Sequence, residues 1–349
     1  LTDMAATLVG RMPGGLAHVA TLSSTFFGAI SGSAPATTSA IGAVMVPEME
    51  KRNYDKAFTA AVVAASGTIG LIIPPSNTMV MYGTLANASV GKMFIGGVGP
   101  GLLMTVVIIV INYLISKKRG YAGSEHISGK QVAEAFKNGI WALLMPVIIL
   151  GGIYGGIFTP TEAAAVAVAY GLIIGAFVYK ELKFKDLVGI FANASLTTAT
   201  IMIILGTANT FGRILTMQKV PGHIAAFFQS ITDSRIVILL LINLLLLFVG
   251  CFMETNAAII ILAPIFLPVV QAMGVDPVHF GIVMVINLAI GFITPPLGVN
   301  LFVAANVAQT TLGKICRGIV PIIGVMILDL MLFTYLEPIV MFLPRLVYG

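Results

Sequence analysis

Residues that break or begin helices recur in this chain at a fixed separation of 221 positions. The matched pairs are Pro47 and Pro268, Asp55 and Asp276, Gly70 and Gly291, the double prolines at 74–75 and 295–296, and Pro100 and Pro321. An ungapped match of helix breakers inside apolar sequence indicates an internal structural repeat. In transporters, paired Gly- or Pro-interrupted apolar segments in the two halves mark the binding site. The repeat therefore predicts a membrane protein that moves a solute.

Composition and charge indicate a polytopic membrane protein. Of the 349 residues, 58% are hydrophobic and only 9% are charged, whereas a soluble domain carries about 25% charged residues. The net charge of +5 is modest and reflects loop lysines and arginines that fix the topology, so no nucleic-acid partner is expected. Cys251 and Cys316 lie in apolar runs without metal or redox spacing, and we expect them to be packing residues. The chain opens at Leu1 in what reads as the tail of a helix, so further helices are expected before it.

The loop charges predict that the two repeats have opposite orientations. Loops rich in Lys and Arg stay on the cytoplasmic side, and three such loops occur, at 51–56, 117–137 and 180–185. The loop at 271–279 is the repeat partner of the first and contains neither Lys nor Arg. Because a span needs about 20 apolar residues, single crossings are predicted for residues 57–85, 93–116, 140–158, 161–179 and 187–217.

Two further apolar segments, 16–46 and 236–267, are interrupted in the middle by SGSAP and METN. Each could be a kinked transmembrane helix or a re-entrant hairpin that enters and leaves on one face, and the loop charges favour hairpins. Non-helical backbone survives at membrane depth only where protein or an aqueous cavity satisfies it. The predicted fold class is an all-α polytopic membrane protein with an inverted repeat, two re-entrant hairpins and two broken helices.

The two broken helices lie at 71–79 and 292–300, where adjacent prolines remove two helical donors. The half-helix that begins after each break carries a partial positive charge at its N-terminus, which suits a carboxylate. Hard oxygen ligands such as freed backbone carbonyls suit a dehydrated Na⁺. The candidates near the breaks are Gly70, Ile73, Gly291 and Thr294. Cation and anion sites are thus expected side by side.

The hairpin tips supply most of the remaining cation candidates. Small hydroxyl residues at the first tip allow close approach of the backbone and offer ligand oxygens, and the repeat points to matching positions in the second half. The tip candidates are Ser31, Gly32, Ser33, Thr255 and Asn256, and Gly298 at the second break completes the set. Tight helix packing by small residues is the alternative at the first tip. Two matching sites predict at least two Na⁺ ions.

Candidates for solute binding are Ser33, Asn77, Thr78, Glu162, Arg213 and Glu254. Glu254 occupies the repeat position of Ser33, and an intramembrane charge is a functional hypothesis by default. Alternatively, Glu254 caps the helix that follows it. Glu162 suits a cavity role and a helix cap equally well. Arg213 could bind a carboxylate bidentately, or reach the outer interface as a snorkelling side chain.

Four stretches of the chain resemble those of a known family. They are FFGAISGSAPATTSAIG (26–42), GLIIPPS (70–76), GGIYGGIFTPTEAAAVA (151–167) and HFGIVMVINLAIGFITPP (279–296). On these motifs the chain resembles the large membrane subunit of TRAP (tripartite ATP-independent periplasmic) transporters, the DctM/SiaM-like family, over nearly its whole length. That family has further helices before the position of Leu1.

The resemblance implies a fold similar to that of ion-transporter-superfamily elevators, in which a scaffold holds a mobile domain of hairpins and broken helices. It implies secondary transport driven by a Na⁺ gradient across the bacterial inner membrane. A periplasmic solute-binding protein would deliver the solute, and a small membrane subunit would complete the scaffold. The solutes would be small acids, mostly carboxylates such as C4-dicarboxylates and sialic acid.

On this basis the chain divides into five parts. Residues 1–15 end a scaffold helix, 16–90 hold the first hairpin and broken helix of the transport domain, 91–235 hold scaffold and connecting helices, 236–310 hold the second hairpin and broken helix of the transport domain, and 311–349 form the C-terminal scaffold helix.

Two alternatives differ from this hypothesis. A stand-alone Na⁺-coupled carboxylate carrier would need no binding protein. A membrane-embedded enzyme or an ion channel is disfavoured, because the sequence shows no nucleophile–base pair, metal spacing or nucleotide loop, and a channel would not need two inverted hairpins. We therefore expect a transporter subunit and not an enzyme.

Overall fold

The computed structural model describes residues 1–123, 129–232 and 234–349, and within these ranges all regular secondary structure is helical. The helices are α1 (Thr2–Val9), α2 (Gly15–Ser31), α3 (Ala34–Lys51), α4 (Lys56–Ile72), α5 (Asn77–Leu85), α6 (Val90–Arg119), α7 (Gly129–Tyr154), α8 (Pro160–Ile173, continued by a π-helical turn over Ile174–Val178), α9 (Phe184–Met217), α10 (Val220–Ile231), α11 (Arg235–Phe252), α12 (Thr255–Ala272), α13 (Pro277–Gly291), α14 (Val299–Val307), α15 (Leu312–Tyr335) and α16 (Glu337–Tyr348).

Several of these helices can span a bilayer by length and composition. Among the residues that the structure covers, six helical segments qualify: α6, α8 with its π-helical turn, the Phe184–Ile204 part of α9, α11, α12 and α15. The pair α4 and α5, which meet at an angle of 42°, would make a seventh span if the two are counted together. The chain is therefore a polytopic helical membrane protein, as the composition predicts.

The sequence repeat is also a structural repeat. The five helices α2–α6 recur in the same order as α11–α15, and α3 and α12 match residue for residue at the separation of 221. The aspartates of the two repeats cap equivalent helices: the Asp55 carboxylate accepts from the Phe58 N–H at 2.9 Å, and Asp276 accepts from the Val278 N–H at 2.7 Å. Asp and Asn are preferred at such N-caps because they satisfy otherwise unpaired amides.

The two broken helices pack antiparallel, which confirms that the repeat is inverted. The end of α5 lies beside the start of α13, where the Tyr82 hydroxyl donates to the Pro277 carbonyl at 2.8 Å. The start of α4 lies beside the end of α14, because Asp55–Ala57 and Ala305–Asn306 line one cleft. Midway between these ends, the Asn300 Nδ2 donates to the Ala64 carbonyl at 2.8 Å.

The helices α4 and α13 form the centre of the molecule, and every residue of 58–73 and 278–293 is buried. By contrast, none of the apolar stretch Phe184–Ile204 of α9 is buried within the chain. Phe184, for example, is 90% exposed. In a membrane protein such a surface suits contact with lipid hydrocarbon, because the side chains that would be unfavourable in water are favourable there.

Candidate cation and solute site

The first hairpin ends in a two-residue link that sits on the first helix break. Gly32 closes α2 with a left-handed backbone (φ +61°), and Ser33 is extended and precedes α3. A Cβ atom on Gly32 would lie 2.9 Å from the Pro75 carbonyl oxygen and 3.3 Å from the Asn77 nitrogen. Gly is therefore required here both for its positive φ and for the close approach to the break.

Three oxygen atoms cluster at this tip. The Thr37 hydroxyl donates to the Ser33 carbonyl at 2.7 Å and lies 3.0 Å from the Ser31 hydroxyl. The Ser31 hydroxyl is also 3.3 Å from the Ser33 carbonyl. The cluster lies against Gly70, where a Cβ atom would be 2.5 Å from the Thr37 Oγ1 and 3.0 Å from the Ser33 carbonyl oxygen. These uncharged oxygens are the kind of ligands that a hard cation binds.

The double proline frees backbone carbonyls at the first break. Pro74 and Pro75 have no N–H, so the carbonyls of Gly70 and Leu71 lose their helical donors. The Ser76 hydroxyl replaces one of them by donating to the Leu71 carbonyl at 2.6 Å. Gly70, with the other freed carbonyl, lies against the oxygen cluster of the tip. The peptide bond between the two prolines is cis in both repeats.

The remaining candidates of the first break differ in exposure. Ile73 is buried and donates its N–H to the Ile69 carbonyl. Thr78 is fully buried, and its Oγ1 has no hydrogen-bond partner within the described part of the chain. Asn77, the first residue of α5, is exposed. Asn77 can therefore reach a solute from the surroundings, whereas Thr78 points an unpaired hydroxyl into the protein.

The second hairpin docks on the second break in the same way. Its link consists of Met253 and Glu254, and the Cys251 carbonyl accepts from the Gly298 N–H at 3.0 Å. Just before each link, two glycines bring the hairpin against the broken helix. A Cβ atom on Gly28 would lie 2.8 Å from the Gly70 Cα, and one on Gly291 would lie 2.6 Å from the Gly250 Cα. The predicted hairpins and broken helices are confirmed, and each hairpin tip meets the middle of a broken helix.

The polar groups at the second tip are less satisfied than those at the first. The Glu254 carboxylate is exposed and accepts from the Ala257 N–H at 3.0 Å and from the Asn256 Nδ2 at 3.1 Å. Glu254 is thus an N-cap of α12, as the alternative interpretation of the sequence proposed. The Thr255 Oγ1 and the Asn256 Oδ1 are buried without a partner among the residues described. The Thr294 hydroxyl donates to the Ile290 carbonyl at 2.8 Å.

Glu162 and Arg213 lie on other helices. Glu162 forms a capping box at the start of α8, where its carboxylate accepts from the Thr159 N–H at 2.8 Å and the Thr159 hydroxyl accepts in return from the Glu162 N–H. Arg213 is exposed on α9, which packs against the α12 arm of the second hairpin. Neither residue belongs to the contacts that dock the tips on the breaks. Their roles in solute binding stay predictions.

Sequence reasoning missed Thr37 and the hydroxyl contact of Ser76. Thr37 lies one helical turn after Ser33, so its side chain projects back towards the tip, a placement that the helical spacing of i and i+4 could have indicated. Ser76 follows the double proline directly and serves as N-cap of α5 by accepting from the Met79 N–H. A hydroxyl at that position is well placed to replace a donor that the prolines remove.

Comparison with known proteins agrees with this architecture. A family model described as the tripartite ATP-independent periplasmic transporter, DctM component, matches residues 1–339. The chain belongs to this family. The resemblance seen in the sequence motifs is thereby confirmed, and the protein is a membrane transport component rather than an enzyme.

Three relatives show how far this similarity extends. The isethionate TRAP transporter permease protein DctMQ of Oleidesulfovibrio alaskensis is 49% identical over 98% of the chain, but the chain spans only 54% of that protein. The C4-dicarboxylate TRAP transporter large permease protein DctM of Pseudomonas aeruginosa is 40% identical over 99% of the chain and 81% of its own length. The sialic acid TRAP transporter large permease protein SiaM of Vibrio cholerae is 38% identical over 99% of the chain and 81% of its own length.

A solved structure supports the fold independently of sequence. The crystal structure of the Alcanivorax borkumensis YdaH transporter, described as having an unusual topology, aligns with a TM-score of 0.65. The alignment covers 98% of the chain and 84% of that structure at 14% sequence identity. At this identity the likeness concerns the fold alone.

Proposed function

We propose that the chain is the large permease subunit of a Na⁺-driven, binding-protein-dependent secondary importer of small organic anions in the bacterial inner membrane. It would work with a small membrane subunit and a periplasmic solute-binding protein, and it would move its site across the membrane by an elevator motion. The observation that carries this proposal is the docking of two hairpin tips, each rich in oxygen atoms, on two helix breaks that run antiparallel.

The chemistry of the first tip supports a monovalent cation. Its oxygens come from two hydroxyls and a backbone carbonyl, without a carboxylate. Divalent ions are usually bound by several carboxylates, whose negative charge repays the cost of removing the ion's water. Neutral oxygens can repay that cost for an ion of single charge such as Na⁺. The equivalent second tip, where the Thr255 Oγ1 and the Asn256 Oδ1 lack a described partner, is the proposed site of the second ion.

The proposed solute class follows from the relatives and from the break geometry. The three relatives are named for isethionate, a C4-dicarboxylate and sialic acid, all of which are anions. Isethionate is a sulfonate, so the class is wider than the carboxylates that the sequence suggested. The N-terminus of α5 lies at the first break and carries a partial positive charge that favours an anion. Solute contacts are proposed for Ser33, Asn77, Thr78 and Glu254.

Contacts between the repeats support the elevator motion. The Tyr82–Pro277 and Asn300–Ala64 hydrogen bonds join the two broken helices at one end and in the middle. A Cβ on Gly281 would overlap the Tyr82 ring, which shows how closely α5 and α13 pack. Since packed interiors move as rigid bodies rather than deform continuously, we expect the two sites to move together.

Uptake by the complete transporter in proteoliposomes tests the proposal. Labelled isethionate, succinate and sialic acid would be supplied under an inward Na⁺ gradient, with and without the corresponding binding protein, and with K⁺ replacing Na⁺ as the control. The proposal predicts uptake that needs both Na⁺ and one of the binding proteins. Na⁺-driven uptake without any binding protein would instead indicate a stand-alone carrier. Uptake that is equally fast in K⁺ would refute Na⁺ coupling.

A further inference from the structure

Three polar side chains meet in the apolar interior, two to three helical turns along α2 and α4 from the first tip and its helix break. Thr21 on α2, Ser66 on α4 and Asn112 on α6 are fully buried. The hydroxyls of Thr21 and Ser66 are 2.9 Å apart, and the Asn112 Nδ2 donates to the Thr21 Oγ1 at 3.1 Å. We call this group the first triad. It joins the first arm of the hairpin, the first half of the broken helix and the long helix that follows.

The second repeat contains an equivalent group, the second triad, formed by Asn243 on α11, Asn287 on α13 and Thr334 on α15. The Asn287 Nδ2 donates to the Asn243 Oδ1 at 2.8 Å and to its carbonyl at 3.0 Å. The Asn243 Nδ2 donates to the Thr334 hydroxyl at 2.9 Å. All three residues are buried. The same three elements of the repeat are therefore joined again, although all three side chains differ.

In both repeats two residues of the triad precede, by the same number of positions, the two glycines at which the hairpin touches the broken helix. We call each such pair of glycines a glycine crossing. Gly70 follows Ser66 by four residues and Gly28 follows Thr21 by seven. In the second repeat, Gly291 follows Asn287 by four residues and Gly250 follows Asn243 by seven. Residues at i, i+4 and i+7 share one helix face. Each triad thus lies on the same helix faces as its crossing, one to two turns further from the tip.

The glycines and the polar side chains have different effects on helix packing: the glycines allow close approach, and the polar side chains fix the relative position of the helices. Glycines let two helix backbones approach closely, but a smooth glycine surface does not fix how far one helix slides or turns on the other. A buried polar side chain whose partner lies on another helix does fix it, because it loses that partner at every other position and the apolar interior offers no replacement. This holds for Ser66, Asn112, Asn243 and Asn287. The hydroxyls of Thr21 and Thr334 also donate to carbonyls of their own helices. A single buried polar residue sets helix register in this way in coiled coils.

We propose that each triad is a register lock that positions its hairpin tip on its helix break. Ser66 and Asn287 are then positioning residues for the cation sites, although neither lies at a tip. The inference rests on the proposed Na⁺ sites, since these are what the tips would form. It predicts that loss of one lock affects the tip of its own repeat and leaves the other tip unchanged.

The test compares matched substitutions in the complete transporter. Ser66→Ala removes a hydroxyl that belongs to the first triad, whereas Ser24→Ala removes an equally buried hydroxyl of the same region that has no partner in the described structure. Thr334→Val opens the second triad, and Thr59→Val is its control, because the buried Thr59 hydroxyl also lacks a described partner.

Two measurements report on the hairpin tips, one on their local order and one on Na⁺ binding. Amide hydrogen exchange of peptides covering 28–38 and 250–260, with and without Na⁺, reports the order of each tip. The Na⁺ dependence of uptake separates apparent affinity from maximal rate. For Ser66→Ala we expect faster exchange at the first tip only and a Na⁺ concentration for half-maximal uptake raised about threefold, the size typical of one hydrogen bond between membrane helices. Thr334→Val should affect the second tip only, and both controls should match the wild type.

The outcomes separate the lock from the proposed function. If Ser66→Ala and Ser24→Ala behave alike, or if exchange rises equally in every peptide, the register lock is wrong. If Na⁺ slows exchange at neither tip of the wild type, the cation sites are wrong, and the lock is judged from the Na⁺-free exchange alone. Should Ser66→Ala fail to fold, Thr21→Ser and Thr21→Val replace it. The lock requires the retained hydroxyl of Thr21→Ser to preserve wild-type exchange at the first tip.

Discussion

Replacing Gly291 by Ala should uncouple the second hairpin from its helix break. The added Cβ would lie 2.6 Å from the Gly250 Cα, 2.8 Å from the Gly250 carbonyl carbon and 3.2 Å from the Leu247 carbonyl oxygen. These are backbone atoms that no side-chain rotation can move. Ordinary contact begins at 3.4 Å, so α11 and α13 must separate by about 0.8 Å (3.4 minus 2.6).

The cost of this separation can be estimated. Overpacking a tight interior costs about 1–3 kcal/mol, and the better helix propensity of Ala returns up to about 1 kcal/mol. A net cost of about 1–2 kcal/mol lowers the equilibrium constant between the docked and the undocked hairpin by about 5–30-fold. Because the Cys251–Gly298 hydrogen bond and the second proposed Na⁺ site both depend on docking, the apparent Na⁺ affinity should fall in proportion to the docked fraction, by up to the same factor.

Gly324→Ala is the matched control for this prediction. Gly324 lies in the apolar helix α15 and has open space where its Cβ would be, so the same change of residue meets no backbone there. Initial rates of uptake would be measured against Na⁺ concentration in both variants, at equal amounts of protein in the membrane. Wild-type Na⁺ dependence in Gly291→Ala would show that the glycine crossing does not position the tip, and the reasoning would fail.

Three further predictions concern single hydroxyls. Thr37→Val removes the hydroxyl that bonds the Ser33 carbonyl and should lower the apparent Na⁺ affinity roughly tenfold, whereas Thr37→Ser should retain most of it in the same uptake titration. Thr255→Val removes a buried hydroxyl that has no described partner. Thermal unfolding should therefore show unchanged or higher stability, while the apparent Na⁺ affinity falls. A loss of stability without a change in Na⁺ dependence would contradict this prediction. Thr159→Ala removes the cap of α8 and should cost about 1 kcal/mol in unfolding measurements, and a changed Na⁺ dependence would indicate that this cap also serves transport.

The sequence was sufficient to predict the repeated elements. Two adjacent prolines remove two helical donors and clash with the preceding carbonyls, so the breaks at 74–75 and 295–296 could be predicted. The matched single prolines Pro47, Pro100, Pro268 and Pro321 instead lie inside helices that continue past them. The inverted orientation followed from the missing positive charge in the loop 271–279, because topology depends on loop lysines and arginines. The antiparallel packing of α5 and α13 at Tyr82 and Pro277 confirms it.

The contacts within the site could not be predicted in the same way. Which hydroxyl meets which carbonyl depends on the rotation of one helix against another, and a helix face carries several equivalent small polar residues. Thr37 and Thr38 are adjacent and chemically identical, yet only the Thr37 hydroxyl belongs to the tip cluster, while the buried Thr38 hydroxyl has no described partner. The triads escaped the repeat comparison because Ser66 and Asn287 differ in residue type. In addition, Thr21 with Asn243 and Asn112 with Thr334 are separated by 222 positions rather than 221.

The two tips combine one backbone arrangement with different chemistry, and this difference bears on how they would share their ligands. At the first tip the Thr37 hydroxyl donates to the Ser33 carbonyl and is hydrogen-bonded to the Ser31 hydroxyl, so these oxygens already have partners before a cation binds. At the second tip the buried oxygens of Thr255 and Asn256 have no described partner, and an unpaired buried oxygen costs about 1–3 kcal/mol that a cation would recover. The carboxylate of Glu254 would attract a cation further and repel an anion. We therefore expect Na⁺ to order the second tip more strongly, and the charged group of an anionic solute to lie nearer Ser33, the uncharged counterpart of Glu254.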